Sequence, residues 1–197
     1  MGNADRDLRL FGDTVKLPDG FTYHENFCSE AEERELIGEI QKIELTPFKY
    51  YQFTGKRRTA SFGWQYEFGG KDITPAPEFP PFVLLLRDRA ARRFNMEANR
   101  LVQATLIEYP PGAPIGWHRD IPQFGVVVGI SLGSSCRMRL RKSDRRRLKK
   151  AAGDELLSIE LKPRSIYLMS GAAREIWQHS IPPVKDLRYS IVMRTLR

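Results

Sequence analysis

The chain is poor in the residues that most often build metal and redox sites: among 197 residues there are two cysteines, Cys28 and Cys136, and three histidines, His24, His118 and His179. The cysteines lie far apart and lack C-x-x-C spacing, which excludes a cysteine-based zinc site and a dithiol redox pair. Both read as reduced packing residues, because a disulfide needs an oxidising compartment and nothing points to export. Long apolar runs are also missing. Val83-Leu84-Leu85-Leu86 and Val126-Val127-Val128 fall far short of the roughly 20 residues that cross a bilayer, and Met1 to Asp13 is charged rather than signal-like. A cytoplasmic protein with no membrane partner is expected. With 41% hydrophobic and 28% charged residues, the chain can bury one real core, so a single domain over 1–197, acting as a monomer, is the expectation.

Positive charge is abundant. The formal net charge is +8 and the pI about 9.7. A field of that sign attracts phosphates before any specific contact forms. A surface kept basic for solubility gives the same number, so charge by itself names no ligand.

Residues 1–28 are mixed and turn-rich, with Leu17-Pro18-Asp19-Gly20 as a turn signal. Ser29-Glu30-Ala31-Glu32 is a capping-box pattern, and Ala31, Leu36, Ile37, Ile40 and Ile43 recur at roughly helical spacing through to Pro47, predicting an amphipathic helix. A second helix is predicted after the Pro75 to Pro81 cluster, with Pro81 at its first position and Phe82, Leu85, Leu86, Ala90 and Phe94 on one face. Between them, Thr59 to Phe68 favours strand, interrupted at Gly63. From Leu101 onward short strands are predicted over 104–109, 125–132, 137–141, 156–161, 165–169 and 188–195. The expected class is α+β, mainly β: N-terminal helices over 1–100 packed on a sandwich or jelly roll over 101–197. Arg141 to Lys150 carries many cations and reads as an exposed loop or hairpin projection.

Chemistry concentrates in three places. His118-Arg119-Asp120 follows a strand-like run and a Pro-Pro-Gly turn, and at strand spacing residues two apart share a side, so an imidazole and a carboxylate can share a metal. His179, in the apolar and aromatic stretch Ile176-Trp177-Gln178-His179-Ser180, is a candidate third ligand. Two His and one carboxylate on one face of a metal suit non-haem iron(II) oxygenases; catalytic zinc accepts the same set but gives no reason for a pair of arginines near the C-terminus. There, in Arg188 to Arg194, alternation turns Arg188, Ser190, Val192 and Arg194 one way. The two arginines, with backbones roughly 20 Å apart, can hold a small dicarboxylate between them, and the guanidinium fork pairs bidentately with carboxylates.

In order, Leu106-Ile107-Glu108-Tyr109-Pro110-Pro111-Gly112, His118-x-Asp120, Ile130-Ser131-Leu132-Gly133, Met169-Ser170-Gly171-Ala172, Trp177-Gln178-His179 and Arg188-x5-Arg194 resemble the AlkB family of nucleic-acid dealkylases, from about Arg57 to the C-terminus. The resemblance implies a distorted double-stranded β-helix with Fe(II) held by His118, Asp120 and His179. It implies 2-oxoglutarate held by Tyr109, Arg188 and Ser190, with Arg194 at the metal-proximal end, and O2 as oxidant. The implied reaction removes alkyl groups from DNA or RNA bases as formaldehyde while 2-oxoglutarate becomes succinate. Two positions depart from the family: Ile107 and Ser190 stand where Asn is frequent, weakening polar support for the co-substrate but removing no metal ligand. Thr59 to Phe68 resembles the nucleotide-recognition lid, with Trp64, Tyr66 and Phe68 as stacking candidates for a base that is flipped out or already single-stranded. Lys56-Arg57-Arg58 and Arg141 to Lys150 would supply phosphate contacts. The competing expectations are a 2-oxoglutarate-dependent protein hydroxylase or demethylase, and a catalytically inactive nucleic-acid-binding module of the same fold.

Overall fold

The computed structural model describes residues 7–10, 13–66, 72–142 and 156–197. In chain order the elements are β1 (Asp7–Leu10), β2 (Asp13–Lys16), β3 (Phe21–His24), α1 (Glu30–Gln41), β4 (Thr46–Tyr50), β5 (Phe53–Phe62), β6 (Trp64–Tyr66) and β7 (Ile73–Pro75), then α2 (Pro81–Arg93) and β8 (Leu101–Tyr109). They continue through β9 (Ile115–His118), β10 (Phe124–Leu132), β11 (Cys136–Lys142), β12 (Leu156–Leu161), β13 (Ser165–Met169), α3 (Gly171–Glu175), β14 (Trp177–Ile181) and β15 (Arg188–Leu196). Phe68 and positions 143–150 of the basic run lie outside the described residues.

The predicted helices begin where expected and for local reasons, but two residues assigned to their apolar faces do not pack: Ala31 is exposed, and Leu85 is 73% exposed because Val83, Leu86, Ala90 and Ala91 form the inner face of α2. Ser29 accepts from the Glu32 backbone N–H while the Glu32 carboxylate accepts from that of Ser29, closing the capping box of α1. Pro81 occupies the first turn of α2, where its missing N–H has no helical partner to lose. The helical pattern predicted through to Pro47 instead ends at Gln41. Pro47 cannot donate within a helix, and it sits in β4, an edge strand that pairs with β5. Ile43, outside the helix, still packs on the same core. Gly63 breaks β5 from β6 as predicted: its φ is +73°, and a Cβ there would approach the Val102 carbonyl oxygen to 2.1 Å.

Among the described residues all pairings are antiparallel. A seven-stranded sheet runs β3-β13-β10-β15-β8-β5-β4 and a four-stranded sheet β12-β11-β14-β9, with β1-β2 and β6-β7 as separate ribbons. The two larger sheets resemble a double-stranded β-helix core. Strands β3, β4 and β5, all before residue 101, complete the large sheet.

Period-2 alternation along the central strands sorts side chains into two cores. Leu106, Ile130 and Ile191 turn toward the helices and pack with Ile40 of α1 and Val83 and Leu86 of α2. Ile107, Val127 and Val192 turn the other way, to Met138, Leu140 and Ile159 of the small sheet. Leu106, Ile130 and Ile191 are all fully buried, each contributing about 1.5–3 kcal/mol. The cysteines fall one in each core, Cys28 by the helices and Cys136 between the sheets, both free and buried. Among the described residues no helix is long and apolar enough to cross a membrane.

Glu33 locks α1 onto the sheet. Its carboxylate accepts from the Gly133 backbone N–H at 2.8 Å and pairs with Arg164 at 3.2 Å. Replacing Glu33 by Ala removes the acceptor of the Gly133 N–H and the nearer of the two carboxylates on Arg164, which keeps Glu30 at 3.7 Å, so it is expected to destabilise the fold by about 2 kcal/mol, read as a lower urea midpoint with unchanged m-value.

Candidate metal centre and its surroundings

His118 is the last residue of β9, and antiparallel pairing with β14 sets it directly opposite His179. The two rings lie 4.2 Å apart, tilted by 55°. Asp120 falls just beyond the strand, so its convergence with His118 does not come from strand alternation as the H-x-D spacing predicts. The following loop is held instead by Arg174, a buried side chain on α3 that donates to the carbonyls of Ile121 (2.7 Å), Phe124 (2.8 Å) and Gly125 (3.0 Å). One ligand atom from each of His118, Asp120 and His179 lies within 4.8 Å of the others.

Each ligand is held in the state a metal needs. His118 Nδ1 bonds the Gly116 carbonyl at 2.9 Å; a carbonyl only accepts, so the proton sits on Nδ1 and Nε2 keeps its lone pair. Burial lowers the pKa of His118 and, helped by the neighbouring His118, pushes that of His179 down to about 3. The 3.8 Å approach of His179 Nε2 to Asp120 Oδ2 is therefore between a neutral ring and a carboxylate, not an ion pair. Burial alone would raise the Asp120 carboxyl, but the fixed charge of Arg194, with Arg174 behind it, holds it well below the usual carboxylate range. Oδ1 accepts from Arg194 Nε at 2.7 Å, while Oδ2 is buried with no hydrogen-bond partner. An ionised oxygen shut away from water and donors is unfavourable unless a cation completes it. Two neutral imidazoles and that oxygen fit a divalent first-row metal.

The two arginines of β15 serve opposite ends of the site. Arg194 holds Asp120 and is itself seated by Gln103 Oε1 (2.8 Å) and Thr105 Oγ1 (3.3 Å) of β8. Arg188, 1% exposed, donates twice to Ser131 Oγ (3.3 and 3.1 Å) and lies 4.8 Å over the Tyr109 ring, and its Nη1 is buried with no partner. Buried Ser190 lies between them, paired in register with Ser131 and Ile107, so the two departures from the family pattern are cross-strand neighbours. Sequence reasoning missed Gln103, Thr105, Ser131 and Arg174. Alternation back from Tyr109 would have found Gln103 and Thr105, and Ser131 stood within the Ile130 to Gly133 motif; Arg174 carried no signal.

The residues expected at the substrate divide. Arg57 turns toward the site, stacked 3.6 Å over the Phe48 ring, and its charge is felt at Tyr109, Arg194 and His118. Arg58, next on the strand, turns the other way to the Leu45 carbonyl and Glu108. Trp64 and Tyr66 are half-buried on the β6-β7 ribbon. An open cavity of about 610 Å³ beside α2 shares no residue with the metal cluster, and two of its arginines are already partnered, Arg89 with Glu32 and Arg93 with His24 of the same cavity wall.

The depressed histidines set a pH dependence for the metal-free protein. Between about pH 3 and the ordinary value of 6.5, the unfolded chain binds a proton that folded His179 refuses, so stability is complete above this window and falls as pH drops through it. His118 acts in the same sense. The slope approaches ~1.4 kcal/mol per pH unit for His179. Urea unfolding across pH 4–7 in chelator is expected to show this slope, reduced in His179→Gln; equal slopes in the two proteins would contradict the assignment.

Residues 20–195 match the sequence profile of the 2OG-Fe(II) oxygenase superfamily. The chain is similar to the alkylated DNA repair protein ALKBH8 homolog of Arabidopsis thaliana, 25% identical over 210 residues that cover 96% of this chain and 59% of that protein; it thus spans less than two thirds of that relative. In fold it resembles OsALKBH1, with TM-score 0.69, 14% identity and coverage of 92% of this chain and 99% of that one. It also resembles a prolyl-4-hydroxylase of Pseudomonas putida, with TM-score 0.60, 16% identity and coverage of 90% and 93%. A profile that runs from β3 to β15 through all the converging ligands is decisive: the chain belongs to the 2OG-Fe(II) oxygenase superfamily and is related to AlkB.

Proposed function

We propose that the protein oxidatively removes alkyl groups from N-alkylated bases of DNA or RNA, consuming O2 and converting 2-oxoglutarate to succinate and carbon dioxide while a methyl group leaves as formaldehyde. The observation that carries the nucleic-acid part is Arg57, a cation turned toward the metal cluster from the strand that leads into the β6-β7 ribbon. A guanidinium there suits a phosphate or an acceptor on a base edge. The net charge of +8 and the similarity to a protein named for alkylated-DNA repair agree with it.

His118, Asp120 and His179 would hold iron(II), which when bound supplies oxidation of an N-alkyl carbon coupled to decarboxylation of the co-substrate. Arg188 offers the buried, partnerless Nη1 to the distal carboxylate of 2-oxoglutarate, beside Tyr109, while Ser131 fixes its other donors. Ser190 lines the same wall. Arg194 keeps Asp120 ionised and faces the metal-proximal end. Trp64 and Tyr66, with Phe68 on the sequence resemblance alone, would stack on a base extruded from a duplex or offered by a single strand. Arg58, held by the Leu45 carbonyl and Glu108, would reach phosphate only with a nitrogen those bonds leave over. The protein would act as a cytoplasmic monomer.

A second reading, a protein hydroxylase, draws on the fold shared with a prolyl-4-hydroxylase. An inactive nucleic-acid-binding module is disfavoured by a ligand set kept neutral, ionised and converged.

Incubation of methylated single-stranded DNA and RNA with protein, iron(II), 2-oxoglutarate and ascorbate is expected to give formaldehyde and succinate in step, and neither product with His118→Ala. Succinate without formaldehyde from any methylated oligonucleotide would move the assignment to a protein substrate.

A further inference from the structure

The outer face of the small sheet carries a cationic and aromatic surface that the metal site does not use. On β11, Cys136, Met138 and Leu140 are buried in the core between the sheets, so Arg137, Arg139 and Arg141 turn outward. On β14, His179 faces the metal, which turns Gln178 and Ser180 outward; on β9, His118 faces the metal and Trp117 turns outward. Arg139 donates from Nε to Ser180 Oγ at 3.1 Å, and its guanidinium lies 5.1 Å from the Trp117 ring centroid. Arg141 donates from Nε to Gln178 Oε1 at 2.8 Å and lies 4.4 Å from the same centroid. Both arginines thus reach from β11 across Ser180 and Gln178 of β14 to one indole on the edge strand β9.

Three features make this a site for an anion rather than a solvated charged face. The arms are ordered before any partner arrives, since each is fixed by a neutral acceptor and by the indole face. Those bonds use Nε, leaving terminal guanidinium nitrogens for an outside acceptor, and among the described residues neither arginine is ion-paired with a carboxylate. Arg137 differs, standing in register with Glu160 of β12. Two guanidiniums two residues apart on a strand repeat at about 7 Å, comparable to the step between phosphates of an extended single strand.

We propose that Arg139, Arg141 and Trp117 form a cradle for the phosphate backbone of a polynucleotide, holding the strand that flanks the base presented to the metal. Trp117 directly precedes the metal ligand His118, so cradle and catalytic wall are two sides of the same strands, and β9 is an edge strand of the small sheet, over which the bound polynucleotide would pass from one to the other. This rests on the proposed nucleic-acid substrate and gives that reading a second anchor. Arginines on phosphates position a strand without reading its sequence, so the surface would favour longer strands over single nucleotides and be indifferent to methylation.

The test is fluorescence anisotropy of a labelled 20-nucleotide single strand, methylated or not, with wild type and Arg139→Gln/Arg141→Gln over a range of salt. Loss of two phosphate contacts is expected to flatten the slope of log K against log salt by about 1.4, equally for both strands. In turnover, KM for the oligonucleotide would rise while kcat is unchanged. Steep salt dependence in wild type with the same slope in the variant would overturn the cradle and leave the nucleic-acid reading standing; no binding of either strand by wild type would overturn both. Should the double variant fold poorly, photocross-linking of a bromouridine-containing strand to the unaltered protein decides the matter: adducts on β9 or β11 support the cradle, and adducts confined to other elements contradict it.

Discussion

The ion pair between Arg194 and Asp120 is the contact on which the site depends. A carboxylate this buried would take up a proton unless a fixed cation stood beside it, and a protonated carboxyl is a poor metal ligand. Arg194 supplies that cation at 2.7 Å and is itself placed by Gln103 and Thr105 of the neighbouring strand. The pair therefore ties the centre of the large sheet to the loop after β9, which Arg174 grips from the other side. Breaking a buried pair of this kind by removing one partner typically costs about 3–5 kcal/mol, so the charge state of the ligand and the stability of the loop are one property. The same pair uses only one carboxylate oxygen, and the other is the atom left for the metal.

Much of this was legible in the sequence because it follows from alternation. The inward row of β15 needs only a period of two, and so do the two cores on either side of the large sheet. The capping box at Ser29 and the helix start at Pro81 are local, and local chemistry decided them. What was not legible is pairing at a distance. That His179 lies directly across from His118 is a fact of register between β9 and β14, with 60 positions of chain between the two strands' histidines. That Asp120 is set by Arg174 rather than by its own strand required knowing that a short helix packs behind the loop. Arg57 and Arg58 looked equivalent as neighbours in a basic run; a strand sends neighbours to opposite faces, and only Arg57 turns toward the metal cluster.

The structure also separates the uses of a strongly basic composition. Some cations are structural, such as Arg164 on Glu33 and Arg174 on loop carbonyls. In the proposed reaction others would serve the centre itself, Arg194 on Asp120 and Arg188 with its partnerless Nη1 toward the co-substrate. Arg57, turned toward the metal cluster, and Arg139 with Arg141 on the far side of the ligand strands are the cations proposed to meet an anionic polymer. The net charge alone carries none of these distinctions, because they depend on which face of a strand each arginine occupies.

Whether His118, Asp120 and His179 hold iron with 2-oxoglutarate anchored by Arg188 is decided by anaerobic titration of chelated protein with iron(II), then with 2-oxoglutarate. Stoichiometric iron uptake is expected, with a visible charge-transfer absorption on adding the co-substrate, loss of both in His118→Ala, and retained iron uptake with weakened co-substrate binding in Arg188→Met. Unchanged iron uptake in His118→Ala, or an absorption indifferent to Arg188, would contradict this assignment.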